Sequence, residues 1–79
     1  MKDNKQWIID WFKRQAPHIK LEIDDNYFAA GAIDSMGIIE LIEEMEQAFS
    51  VRFSQDDFQD ERFSCIGGLT EMLAEKLAL

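Results

Sequence analysis

Residues 34–49 read Asp-Ser-Met-Gly-Ile-Ile-Glu-Leu-Ile-Glu-Glu-Met-Glu-Gln-Ala-Phe, and this stretch decides the fold class. Ile38, Ile39, Leu41, Ile42, Met45, Ala48 and Phe49 recur at helical spacing and form a broad apolar face. Glu40, Glu43, Glu44, Glu46 and Gln47 take the other side, with Glu40, Glu43 and Gln47 on one ridge. Either Asp34 or Ser35 is suited to cap the helix start. Like charges one turn apart repel by about 0.2–0.5 kcal/mol per pair, so intrahelical pairing is no reason to keep four glutamates here.

Upstream, Trp7, Ile8, Trp11 and Phe12 share one face of a helix that starts at Asp3 or Asn4 and runs to about Gln15. Pro17 closes it, since proline offers no amide and disfavours helical geometry at Ala16. No period is sustained from Pro17 to Asp34, a long connection that Ile19, Leu21, Ile23, Tyr27 and Phe28 are expected to pin. Gly31 is expected to supply a positive-φ turn before the second helix. Downstream, Ser54 to Asp60 reads as a Ser-capped short helix with Phe58 facing inward. Ser64 is expected to cap a last helix over residues 65–77, with Ile66, Leu69, Leu73 and Leu77 as its buried stripe. Gly67 and Gly68 would each cost a free helix about 1 kcal/mol relative to Ala, which points to close approach of a neighbour.

The expectation is a single all-α domain over residues 1–79: a four-helix bundle with three longer helices, one short helix and a long first loop. One Pro, four Gly and no alternating β-branched run agree with it. Cys65 stands alone, so no internal disulfide framework is available. No apolar run approaches the roughly 20 residues that span a bilayer, and no signal-peptide core is visible. A soluble, cytoplasmic protein is the expectation.

Charge is unevenly spread. Residues 21–61 hold twelve acids and one base, whereas residues 1–20 hold five bases and two acids. A nucleic-acid binder needs the opposite sign to release counterions from phosphates, so that class is set aside. An anionic middle suits basic faces of partner proteins.

Enzyme and metal patterns fail one by one. Ile33-Asp34-Ser35-Met36-Gly37 has only the second half of a hydrolase Gly-x-Ser-x-Gly elbow. His18 is the only histidine and Cys65 the only cysteine, too few for a zinc site. Asp24-Asp25-Asn26 opens like a calcium loop, but Phe28 occupies the fifth position and Gly31 the eighth. Cys65 reads as a buried small apolar residue. What remains is Ser35 at a helix start, where free amides and the helix dipole would stabilise an attached anion.

The tripeptide Asp34-Ser35-Met36, the approach Phe28-Ala-Ala-Gly31 and the acidic helix 40–49 ending in Phe49 together resemble the acyl carrier protein family, over about residues 3–77. The resemblance implies 4′-phosphopantetheine attached to Ser35 by a phosphopantetheinyl transferase, with Asp34 in support. It implies acyl or aminoacyl groups carried as thioesters between a loading ligase or transferase and downstream synthases or transferases, and no catalysis by the chain. Met36, Glu40, Glu43, Glu46 and Gln47 correspond to positions that meet partner enzymes. Ile39, Ile42, Met45 and Phe49, with Phe63, Ile66 and Leu69, correspond to an inward set. The stretch 53–63 is more similar to specialised, D-alanyl-type stand-alone carriers than to the housekeeping fatty-acid carrier. A fatty-acid, polyketide or other specialised pathway and a monomeric state are the expectations. The competing reading is an unmodified acidic helical module that docks through its second helix.

Overall fold

The computed structural model describes residues 4–78, all of whose regular elements are helical. α1 spans Asn4–Gln15, α2 Ser35–Phe49, α3 Gln55–Phe58 and α4 Ile66–Leu77, with a 3-10 turn at Glu61–Ser64. Three longer helices, one short one and a long first connection therefore stand as expected. Asp3 lies outside the described residues, and Asn4 is already inside α1.

One core joins these elements. α1 contributes Ile8, Trp11 and Phe12, α2 Leu41, Ile42 and Met45, and α4 Ile66, Leu69, Met72 and Leu73. Each large side chain of this kind stabilises the fold by about 1.5–3 kcal/mol relative to exposure. Trp7 packs edge-on against Phe49 at 5.4 Å between ring centroids. Trp11 is buried with its Nε1 donating to Glu44 Oε2 at 2.8 Å, so the indole N–H does not go unmet.

The first connection is held chiefly by Tyr27. Its ring stacks on Phe12, its hydroxyl donates to the Phe63 carbonyl, and its amide donates to the Ser64 carbonyl at 3.0 Å. Burial, and to a lesser degree the neighbouring Cys65, pushes the Tyr27 phenol well above its ordinary pKa. Ile19 and Leu21 are half-buried, but Ile23 and Phe28 lie on the surface and do not pin the loop as expected. Gly31 has φ +78°, the left-handed turn read from sequence.

Five further expectations change. Ile39 is 53% exposed, because two residues from Leu41 is roughly 200° around a helix and Leu41 faces the core. Phe58 is half out of the core, packed edge-on against Phe63 at 5.1 Å. Leu77 is exposed and Met72 takes its place in the α4 stripe. Cys65, not Ser64, caps α4, its Sγ accepting from the Gly68 amide at 3.3 Å; Ser64 belongs to the 3-10 turn, and Cys65 is only half-buried.

The paired glycines do mark close approach, to the first connection and to the 3-10 turn. The Gly67 amide donates to the Ile23 carbonyl at 2.8 Å, and a Cβ on Gly68 would overlap the Arg62 backbone. Arg62 in turn binds Asp60 at 2.9 Å and Glu75 at 2.6 Å, and Lys76 binds Asp57 at 2.7 Å. These pairs tie the α3 and 3-10 segment to α4.

Candidate functional site at the start of the second helix

The chain reaches α2 through two turns. Asn26 Oδ1 accepts from the Phe28 and Ala29 amides, both at 2.9 Å, a side-chain mimic of a backbone turn. After Gly31 reverses the chain, the Ala32 amide donates to the Tyr27 carbonyl at 3.0 Å. Ile33 and Asp34 thus arrive at a fixed angle.

Asp34 is the N-cap. Its backbone is extended and its Oδ1 accepts from the Gly37 amide at 2.7 Å. That decides between the two cap candidates and leaves Ser35 as the first helical residue, exposed, with its hydroxyl not needed for capping. A Cβ on Gly37 would stand 2.9 Å from Ile33 Cγ1 and 3.2 Å from Asp34 Oδ1. Gly37 therefore lets the cap fold tightly onto the first turn, a role that sequence reading missed because only the contact reveals it.

Beside Ser35 lies a groove of about 450 Å³, walled by Phe28, Ile39, Phe58 and Phe63 and edged by Glu43. Together with Met36, 69% exposed, these residues surround Ser35 with apolar surface. Phe28 and Phe58 were expected inside. Their neighbours show no polar–apolar period, so nothing local indicated which way they face.

The acidic ridge divides by use. Glu44 accepts from Trp11, and Glu46 Oε2 accepts from the Phe53 amide at 2.9 Å. Both hold the fold, which answers why these like charges are kept. Glu40 and Glu43 are exposed with no ion-pair partner among the described residues, and Gln47 is exposed beside them. His18 is exposed in the first connection. No group of acidic, histidine and cysteine side chains suited to a metal ion occurs among the described residues.

A phosphodiester on Ser35 Oγ fits this setting. The Ser35 and Met36 amides are in the first turn and have no intrahelical acceptor, and the positive end of the α2 dipole faces the same place. No acidic residue other than Asp34 lies within four residues of Ser35 in sequence, and the Asp34 carboxylate is already engaged by Gly37.

Comparison with known proteins gives the same direction. Residues 6–73 match the family model described as the phosphopantetheine attachment site. The D-alanyl carrier protein of Streptococcus uberis is 33% identical over 69 residues, covering 86% of this chain and 87% of that protein. The D-alanyl carrier protein of Streptococcus sanguinis is 38% identical over 55 residues, covering 63% and 68% respectively. No solved structure matches. The fold, the motif region and these similarities agree: the chain belongs to the acyl carrier family, a non-enzymatic carrier with covalent 4′-phosphopantetheine, similar to D-alanyl carriers.

Proposed function

We propose that Ser35 is the attachment residue and that the cargo is a small aminoacyl group, with D-alanyl the first candidate. The observation that carries the attachment is the division of labour at the cap: Asp34 takes the Gly37 amide, leaving the adjacent Ser35 hydroxyl exposed at a helix start. The bound arm supplies a terminal thiol on which a carboxylic acid is held as a thioester. Asp34 keeps the first turn formed, and the Ser35 and Met36 amides would hold the phosphate. The apolar surface of Met36, Ile39 and Phe58, flanked by Glu40, Glu43 and Gln47, suits docking by partner enzymes with basic, apolar-centred faces. Glu46 stands at the edge of that surface and is in part committed to Phe53. The core is filled at Leu41, Met45, Leu69 and Leu73, which favours a cargo that stays outside it. The names of the relatives point to D-alanyl.

Partners would be a phosphopantetheinyl transferase, an adenylating ligase and a transferase that consumes the thioester. No described helix is long and apolar enough to cross a membrane. Co-expression with a phosphopantetheinyl transferase should add one arm to the intact mass, and Ser35→Ala should abolish the addition. A Ser35→Ala protein that still gains the arm refutes the assignment. Loading is tested by incubating holo-protein with ATP, D-alanine and a D-alanine-activating ligase, with the Streptococcus uberis carrier in parallel. An unchanged mass here beside a loaded control refutes the cargo. Reversing Glu40 and Glu43 to Lys should weaken loading by about tenfold, as expected for losing two docking charges.

A further inference from the structure

Away from Ser35, a second groove opens where α1 meets the first connection. Its volume of about 530 Å³ is within the size range of small-molecule sites. Phe12 and Ile66, nearly covered, lie at its base, and Ile9, Ile19 and Leu21, half-buried, form its sides. Its polar lining consists of Lys13, His18 and Lys20, and no carboxylate lines it. Neither lysine has an ion-pair partner among the described residues. In a chain with a net charge of −8, an apolar recess edged only by basic side chains is a local reversal of sign.

We propose that this groove binds a single-chain anionic amphiphile, its alkyl chain against the apolar side chains and its carboxylate or phosphate head at Lys13 and Lys20. The chemistry selects this class. An alkyl chain leaves no polar group unmet in an apolar recess, whereas a peptide segment would bring amides that need partners. Lys13 and Lys20 favour an anionic head over a neutral or cationic one. The occupant is a free chain and not a bilayer surface. The apolar residues are recessed behind exposed lysines, whereas an interfacial helix presents its apolar face outward.

The test is a titration of the ¹⁵N-labelled protein with decanoate kept below its micelle concentration. Saturable shifts are expected at the Ile9, Lys13, Ile19 and Leu21 amides, weakening as salt is raised. Decyltrimethylammonium, with the same chain and the opposite charge, should produce no saturable shift. The K13E/K20E double variant replaces two exposed residues, so its α2 amides should stay in place while decanoate affinity falls about tenfold or more, as expected for reversing two surface charges. If that variant fails to fold, the salt dependence and the cationic probe still decide. The proposal is overturned by no saturable shift with decanoate, by an equal response to the cation, or by salt-independent affinity. Shifts centred on the Ser35 groove, or binding to anionic vesicles without any response to free decanoate, overturn it as well.

Discussion

Replacing Tyr27 with Phe isolates the contact that joins the first connection to the 3-10 turn. Tyr27 is fully buried, and its ring stacks on Phe12 with centroids 4.9 Å apart. Phe keeps that stack and nearly the same volume. What disappears is the hydroxyl that donates to the Phe63 carbonyl. A buried acceptor left without its donor costs about 1–3 kcal/mol. A chain of this length has roughly 4–12 kcal/mol of stability in total, so the loss is a sizeable fraction. With a urea m-value of about 1 kcal/mol/M, as for small domains, the midpoint should fall by about 1 M or more. Trp11, buried and bonded to Glu44, makes intrinsic fluorescence a suitable reporter of unfolding. The m-value should not change, because the same surface is exposed on unfolding. A midpoint within about 0.3 M of the unsubstituted protein, where the same slope makes the loss smaller than a single typical hydrogen bond, would refute the claim that this bond pins the loop. The phenol also predicts alkaline behaviour. Its folded pKa is raised, so its contribution is complete below the ordinary value of 10.0 and declines as pH rises above it. Tyr27→Phe should lose that alkaline decline.

The two adjacent glycines should respond differently to alanine. Gly68→Ala drives a Cβ into the Arg62 backbone and should cost about 1–3 kcal/mol in urea unfolding, in spite of better helix propensity. Gly67→Ala meets the Ile23 carbonyl at 3.3 Å and should be far milder. Acid should loosen the ties between the 3-10 segment and α4. Hydrogen bonds from Arg62 hold the Asp60 and Glu75 carboxyls below their ordinary values of 3.8 and 4.5. At Asp57 partial burial opposes ionisation, but the bonds from Lys76 and Ser54 outweigh it and lower its pKa too. Groups with lowered folded pKa stabilise above the ordinary value and lose that effect as pH falls through the folded one. Stability measured by urea midpoint should therefore drop below about pH 4.5, and Arg62→Met should flatten that drop. An unchanged acid slope in Arg62→Met would remove the ion pairs from the explanation.

Much of the fold was readable because it rests on local chemistry. The α1 stripe, the proline stop at Pro17, the turn at Gly31 and the α2 period each follow from adjacent residues, and each stands in the structure. Three of the failures share one cause. Ile39, Phe58 and Leu77 are apolar residues whose helices leave them on the solvent side. Which side of a helix turns inward depends on the elements packed against it, and a broad apolar face permits more than one rotation. The same holds for the acidic ridge: Glu44 and Glu46 look like Glu40 and Glu43 in sequence, and only Trp11 and Phe53, brought in from α1 and the chain after α2, tell them apart.

Ser35 illustrates the boundary. Residue order alone places a serine at a helix start, after an aspartate and before an acidic amphipathic helix, because capping and helical period act over four residues or fewer. It also leaves Asp34 and Ser35 as rival caps. Tertiary structure decides the rest: Asp34 takes the Gly37 amide, and Phe28 and Phe58 converge from the first connection and from α3 to make a groove at the exposed hydroxyl. A groove is a relation among segments distant in the chain, set by the one packing that buries Tyr27 and Leu41 together, and no local pattern encodes it.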